Sequence, residues 1–306
     1  MKIYKQTGRD YQEGPVPYLD FSQYLKTNSL SFLYGCDSYH IDVTQILNNK
    51  TNIFLELEQP NSWWALSNPI NYINCVDKVF TICPYTAKWL NKQLGQNIFT
   101  PIMYPINSKY NETSILRNVD KDIDVFYSGG LYNQDHYIML EHIKNFKYKY
   151  LFWNNDCPYV TDINTNYINK IMAIARSKIS ICYNLLYPNV NQIWKVKQFK
   201  GWQDNEAFSE IYNGIVPQFK SRVTEAALNK SLILIKKDPW NVIEKFLTPN
   251  EDFIYFNDSN NLTEIIQNIL NNYEYYENIV NNAFVKVFNN YTSEKFYEKY
   301  VKEYDV

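Results

Sequence analysis

The sequence is poor in several features that mark common chemistries. Only 8 glycines occur in 306 residues, and none builds a Gly-x-Gly-x-x-Gly dinucleotide loop or a Gly-Lys-Ser/Thr phosphate loop. The 5 cysteines (Cys36, Cys75, Cys83, Cys157 and Cys182) are scattered without a Cys-x-x-Cys pair, and the 3 histidines are not clustered. That spacing argues against a zinc site and against a disulfide framework. No apolar run approaches the roughly 18 residues that span a bilayer. Residues 1–10 lack the apolar core of a signal peptide. These absences set the expectation of a cytoplasmic protein without a transmembrane segment. A net charge of -2 supplies no electrostatic reason to bind nucleic acid or an anionic membrane.

What remains is a globular composition, 45% hydrophobic and 20% charged, long enough for two domains with separate cores. The 28 tyrosines and 17 phenylalanines accompany many Asn and Lys, as AT-rich coding produces, and are not by themselves a ligand signal. Short β-rich runs alternate with helical patterns, the mark of parallel α/β architecture. In the first half, 30–34, 52–57, 78–82 and 98–103 read as strands, and 84–94 reads as a helix with Ala87, Leu90 and Leu94 on one face. The pattern turns polar between 105 and 120, which reads as a linker. Strands at 123–127, 148–153, 179–183, 232–235 and 253–256 then alternate with helices at 135–144, 167–175, 222–228, 241–246 and 261–271. A helical tail runs from 275 to about 300, and 184–206 resists assignment. The expected fold class is α/β, two doubly wound Rossmann-like domains facing a cleft. Their bounds are 1–115 for the first domain, 116–290 for the second, and 291–306 for a final helix.

In such sheets ligands bind beyond the carboxyl ends of the strands, so the residues there carry the functional reading. The strand at 123–127 runs straight into Ser128, Gly129 and Gly130, where backbone can approach a ligand closely. On turn chemistry alone the same pair reads equally as an ordinary strand-to-helix turn. Lys220 and Arg222 fall at the start of a helix, where cations oppose the helix dipole unless an anion sits nearby. A diphosphate there would use the dipole, the free N–H groups and both cations. Glu225 lies one turn on. It can accept from ribose hydroxyls, hold Arg222, or form a solvated i,i+3 pair with it. Asp122-Ile-Asp124 precedes its strand and so lies at the wrong end to hold a metal over a diphosphate.

The stretch from Lys220 to Ile235 (KSRVTEAALNKSLILI) resembles the donor-binding segment of GT-B glycosyltransferases, most closely the group-1 and CgeB-like branches. Residues 242–258 are similar to that family's following helix, turn and strand, the Gly129–Gly130 segment to its phosphate-side loop, and residues 76–107 to its first-domain unit leading into the linker. The resemblance implies a glycosyltransferase that moves a sugar from a nucleoside-diphosphate-sugar donor to a glycan or other hydroxyl acceptor. It implies no metal and no other cofactor, with the donor held by Gly129, Gly130, Lys220, Arg222 and Glu225. Two positions depart from the pattern. Pro217 stands where retaining members often carry a Glu, and Asn229-Lys230 replaces a usual glycine.

On the acceptor side, Asp37 and His40 follow the strand at 30–34, and Glu58 follows the one at 52–57. Each is a candidate base for the acceptor hydroxyl. Trp63 and Trp64 can stack on an acceptor sugar or pack as rim or core residues. His136 sits near the start of a helix where it can meet phosphate, while His142 reads as structural. A rival reading, favoured by Pro217 and the short first domain, is a catalytically inactive nucleotide- or sugar-binding module of the same fold.

Overall fold

The computed structural model describes residues 2–5, 30–35, 51–56, 77–82, 84, 87–88, 91–92, 95–109, 119–131, 133–151, 157–163, 166–186 and 216–305. Two parallel five-stranded sheets organise these residues. The first runs in sequence order through β1 (Lys2–Lys5), β2 (Leu30–Gly35), β3 (Thr51–Glu56), β4 (Lys78–Thr81) and β5 (Phe99–Pro101). β1 escapes the hydrophobic pattern because lysines bracket it. Its register against β2, Lys2 opposite Ser31 through Lys5 opposite Tyr34, nevertheless makes it the edge strand.

The second sheet contains β6 (Ile123–Ser128), β7 (Tyr148–Leu151), β8 (Ser177–Tyr183), β11 (Leu232–Lys236) and β12 (Ile254–Phe256). Its order is β12-β11-β8-β6-β7. The chain thus goes from β6 outward to β7, then returns past β6 to lay down β8, β11 and β12 on the other side. That reversal between β6 and β8 opens a crevice at their carboxyl ends. A two-stranded antiparallel ribbon of β9 (Leu185–Leu186) and β10 (Val216–Pro217) follows the end of β8.

Both faces of the second sheet are covered, and side-chain alternation shows it. Val125, Tyr127, Ile179, Ile181, Tyr183, Leu232 and Leu234 pack under α1 (Gln134–Ile143) and α4 (Leu262–Asn271). The alternate residues Phe126, Cys182, Ile233 and Ile235 pack under α2 (Tyr167–Ala175), α3 (Ser221–Leu228) and α5 (Glu277–Asn290). This second core is continuous with Ile53, Phe80 and Ile82 of the first half. Helices α1 and α2 begin where Asn133 and Asn166 accept the backbone N–H groups of His136 and Asn169 at 3.2 and 2.8 Å.

Residues 241–246, expected as a helix, form only a 3-10 turn at Val242–Lys245, because Asn241 takes a left-handed conformation and Asp238 accepts the N–H groups of Trp240 and Val242. The helical tail breaks at Tyr291, and α6 (Ser293–Phe296) restarts with Thr292 as its cap. Ile106 and Thr292 form a parallel bridge, and Phe296 and Tyr300 lay their rings on Phe80 at 5.0 and 5.1 Å.

Candidate functional site

The residues at the reversal of the second sheet assemble around Gly129, which follows β6 with φ +123°. That backbone region is essentially closed to residues carrying a β-carbon. A β-carbon at Gly129 would also overlap the guanidinium of Arg222. The glycine therefore serves two purposes, a backbone angle and a seat for an arginine reaching over from α3. Two tyrosines fix the loop: Tyr127 donates to the Gly130 carbonyl at 3.2 Å and Tyr150 to the Gly129 carbonyl at 2.9 Å. The Arg222 guanidinium also lies 5.9 Å from the Tyr127 ring centre, so a cation is held against an aromatic face.

The sequence of helix α3 opens on cations. Lys220 occupies its cap position in extended conformation, and no side chain caps the first turn. The Lys220 N–H donates to Asn184 Oδ1 at 3.3 Å, and its ammonium bonds the Gln218 side chain. The first-turn N–H groups, the dipole and two cations thus converge beside the Gly129 loop. Lys236, at the end of β11, adds a third cation, paired with Asp135 at 3.3 Å.

His136 sits in the first turn of α1 and is 3% exposed. Its Nδ1 lies 2.6 Å from Asn133 Oδ1, which already accepts the His136 backbone N–H. An amide oxygen can only accept, so Nδ1 carries the proton. Its ring stacks on Tyr183 at 4.5 Å. Burial, then the nearby Arg222, lower its pKa to about 4 against a raising effect of Asp135, with Lys220 and Lys236 lowering it further. The imidazole is neutral near pH 7, kept so first by its burial and then by the cations of this site.

Glu225 has a different setting. It is 2% exposed and pairs with Lys170 of α2 at 2.7 Å, with a second contact at 2.8 Å. It points to the α2–α3 contact, while Arg222, one turn earlier, reaches Gly129. The sequence reading placed Ser128 only in the loop leading to Gly129 and left Asn184 unassigned, yet both carry polar groups at the crevice. Ser128 Oγ at the end of β6 and Asn184 Nδ2 after β8 are buried without a hydrogen-bond partner. Asn184 is 0% exposed, and an orphaned amide N–H pair there is a costly feature unless a ligand meets it. The sequence signal for both was position alone, the first polar residue at the carboxyl end of a strand beside the reversal.

Asp122 and Asp124 flank the opposite, amino end of β6. Asp122 is held by Arg176 at 2.7 Å, which lowers its pKa, followed by Lys147. Among the described residues no group of three or more His, Cys, Asp or Glu side chains could hold a metal ion. No helix of the described residues is long and apolar enough to cross a membrane. The candidates Asp37, His40, Glu58, Trp63 and Trp64 lie outside the described residues, and β3 ends at Glu56 just before Glu58. His142 lies on α1 with its Nδ1 2.6 Å from Thr263 Oγ1 of α4, a contact between two helices.

Residues 153–302 match the model of a family described as glycosyl transferase-like. No curated protein matches the chain by sequence. Among solved structures, S. aureus TarM (a G117R mutant in complex with fondaparinux, alpha-GlcNAc-glycerol and UDP) superposes with TM-score 0.56 at 10% identity, covering 94% of this chain and 58% of its own. Anabaena Alr3699/HepE in complex with UDP-glucose gives TM-score 0.56 at 9% identity, covering 90% of this chain and 78% of its own. The pneumococcal O-GlcNAc transferase GtfA in complex with UDP and GlcNAc gives 0.55 at 10% identity, covering 92% and 57%. The chain thus spans less than two thirds of the TarM and GtfA chains. At such identities the likeness shows the fold, and that fold is the one expected from the resemblance, GT-B with parallel sheets in both halves. In sequence, residues 153–302 carry the relation to glycosyltransferases, and they include α3 and the strand that follows it.

Proposed function

We propose that this protein is a glycosyltransferase whose second half holds a nucleoside-diphosphate-sugar donor at Gly129, Gly130, Lys220 and Arg222, with Ser128 and Asn184 as further contacts. The observation that carries this is Arg222 lying across a glycine where no β-carbon fits, at the reversal of the second sheet and beside an uncapped helix N-terminus. The family match over residues 153–302 and the UDP bound to TarM, HepE and GtfA support it.

In the reaction an acceptor hydroxyl oxygen bonds the anomeric carbon of the donor sugar as the bond from that carbon to the diphosphate oxygen breaks. The electron pair leaves with the diphosphate. Its charge is met by Arg222, Lys220 and the N–H groups of α3, a preorganised electrostatic contribution. The hydroxyl proton passes to a base of the first half, for which Asp37, His40 and Glu58 stand as candidates, with Trp63 and Trp64 as acceptor contacts. The acceptor is a glycan or another hydroxyl compound. The donor site as proposed uses no metal ion. Glu225 is neutralised by Lys170, so its role is to set the seat of α3, and ribose contact falls to other groups.

The test is a thermal-shift panel of UDP, GDP, CMP, dTDP and ADP with their sugars, with and without EDTA. A ligand of the native state alone raises stability by about 2.7 kcal/mol at a hundredfold excess over Kd. One base is expected to shift the protein, equally with EDTA present, and Arg222→Ala to lower kcat/KM about 10²–10³-fold while costing no more than about 1 kcal/mol of stability. Unchanged kinetics in Arg222→Ala would sink the assignment, and a shift lost on EDTA would sink its metal-free form.

A second reading is favoured by one observation. Between 216 and 229 the only acid is Glu225, and it is buried against Lys170, while Pro217 offers no carboxylate. A nucleotide-binding module without turnover fits that. It requires nucleotide binding in the panel with no sugar release or transfer from any bound donor.

A further inference from the structure

A cavity of about 550 Å³ lies between the two halves and shares no lining residue with the Gly129–Arg222 site. Its first-half wall includes Pro84, Lys88 and Phe99. Its second-half wall includes Trp240, Asn241 and Lys245. The volume suits a small ligand, and the wall mixes aromatic and aliphatic faces with a few polar groups, as ligand pockets do.

Three features specify what fits. Trp240 and Phe99 line it with aromatic rings, Phe99 buried and Trp240 half-buried, of the kind that pack on the apolar face of a sugar. Lys88 and Lys245 approach from opposite halves, and no carboxylate is among the described lining residues. Asn241 supplies the third feature. Its Oδ1 is buried and has no hydrogen-bond partner. This residue is held with φ +50°, its N–H donating to the Asp238 carbonyl at 3.2 Å, while Asp238 Oδ1 accepts Trp240 N at 3.0 Å. Burial raises the pKa of the Asp238 carboxyl to about 6 against those N–H bonds, which lower it. The turn is therefore built to present Trp240 and Asn241 together. An orphaned acceptor asks for a hydroxyl donor, the rings for a sugar face, and the lysines for an anion.

We propose that this cavity is a second binding site, for a sugar carrying an anionic group such as a phosphate, separate from the donor site. A neutral sugar satisfies the rings and Asn241 but leaves the lysines unmet. Inorganic phosphate does the reverse. Only the combined ligand meets all three, and it does so while touching both halves.

The experiment is calorimetric titration of the full chain with glucose 6-phosphate, glucose and inorganic phosphate, each with and without saturating UDP. Glucose 6-phosphate is expected to bind saturably and at least about tenfold more tightly than either fragment. Lys88→Glu/Lys245→Glu, at two exposed positions, is expected to weaken it at least about tenfold and leave UDP binding unchanged. Asn241→Gly keeps the left-handed backbone available and removes the amide, with a loss of several-fold expected. No saturable binding of glucose 6-phosphate, equal binding by the charge-reversed variant, or displacement by UDP would each overturn the proposal. A protein that binds glucose 6-phosphate but no nucleotide overturns the donor assignment and leaves this one standing.

Discussion

Replacing Gly129 by alanine tests the central geometry, because two separable penalties are predicted from one methyl group. The first is backbone strain: a residue with a β-carbon held at φ +123° costs about 1–3 kcal/mol. The second is displacement of the Arg222 guanidinium, whose position the new methyl would occupy. That end of the side chain is flexible, so it moves off instead of unfolding the helix. What is lost is its contact with the Tyr127 ring, about 0.5–1 kcal/mol. Arg222→Ala alone loses the same contact. The double variant loses it only once, so the stability costs are sub-additive by about that amount. Urea melts of the wild type, both single variants and the double variant measure the cycle. Nucleotide binding follows the same logic more sharply: either substitution removes the arginine from the phosphate seat, and the second adds little to the first. If Gly129→Ala is as stable as wild type, or if both stability and nucleotide affinity prove strictly additive, Arg222 does not rest on Gly129 and the reasoning is refuted.

Other consequences are independent of that cycle. The His136 pKa is lowered to about 4 from an unfolded value near 6.5, so its neutral form stabilises the fold above pH 6.5, and that stabilisation is lost as pH falls towards 4. The loss amounts to about 3 kcal/mol, and His136→Gln is expected to flatten that limb of the wild-type curve in urea melts from pH 7 to 4; identical limbs would refute it. Lys170→Met strands the buried carboxylate of Glu225 and is expected to cost about 3–5 kcal/mol, most of it restored by adding Glu225→Met. A Lys170→Met protein within 1 kcal/mol of wild type in the same melts would show that the pair is not buried as described. Phe296→Ala opens the ring cluster with Phe80 and Tyr300 and is expected to cost about 3–5 kcal/mol, with a loss under about 1 kcal/mol counting against a packed seam.

Much of the second half was readable because its strands are buried on both faces. The runs at 123–127, 179–183 and 232–235 are apolar but for Asp124 and Ser180, and each fell within a residue or two of the observed strand. The turn at Val242–Lys245 was less legible, since the left-handed state of Asn241 depends on how Asp238 captures the N–H groups beyond it. β1 was hidden because four residues bounded by lysines carry little pattern, and only pairing with β2 makes them a strand. For the site, the double glycine and the Lys220–Arg222 pair marked the place, but sequence spacing put Arg222 and Glu225 on one side of a helix. Tertiary contacts divide them: Arg222 goes to the glycine loop, whereas Glu225 meets a lysine 55 residues away. Asn184 was invisible for a similar reason, because its importance lies in being fully buried without a partner for its N–H groups.

The same contacts explain why the phosphate seat and the junction of the halves form one structural unit. Phe219, just ahead of α3, donates its N–H to the Ile82 carbonyl at 2.8 Å, and Thr224 within α3 donates its hydroxyl to the Tyr104 carbonyl at 3.0 Å. Both acceptors belong to the first half. A pair of neutral hydrogen bonds contributes only about 1 kcal/mol each, too little to hold two domains together. The adhesion comes instead from aromatic packing of Phe80 in the first half against Phe296 and Tyr300 of the C-terminal segment, while Phe219, Phe246 and Tyr291 pack together within the second half. The hydrogen bonds therefore act as position markers. They fix where α3 begins relative to the first sheet, while the rings supply the energy that keeps the two sheets in register. Any change in the spacing of the halves must either break both bonds or carry α3 with it, and with α3 goes Arg222. The position of the cation over Gly129 is thus set by the first half as much as by the second.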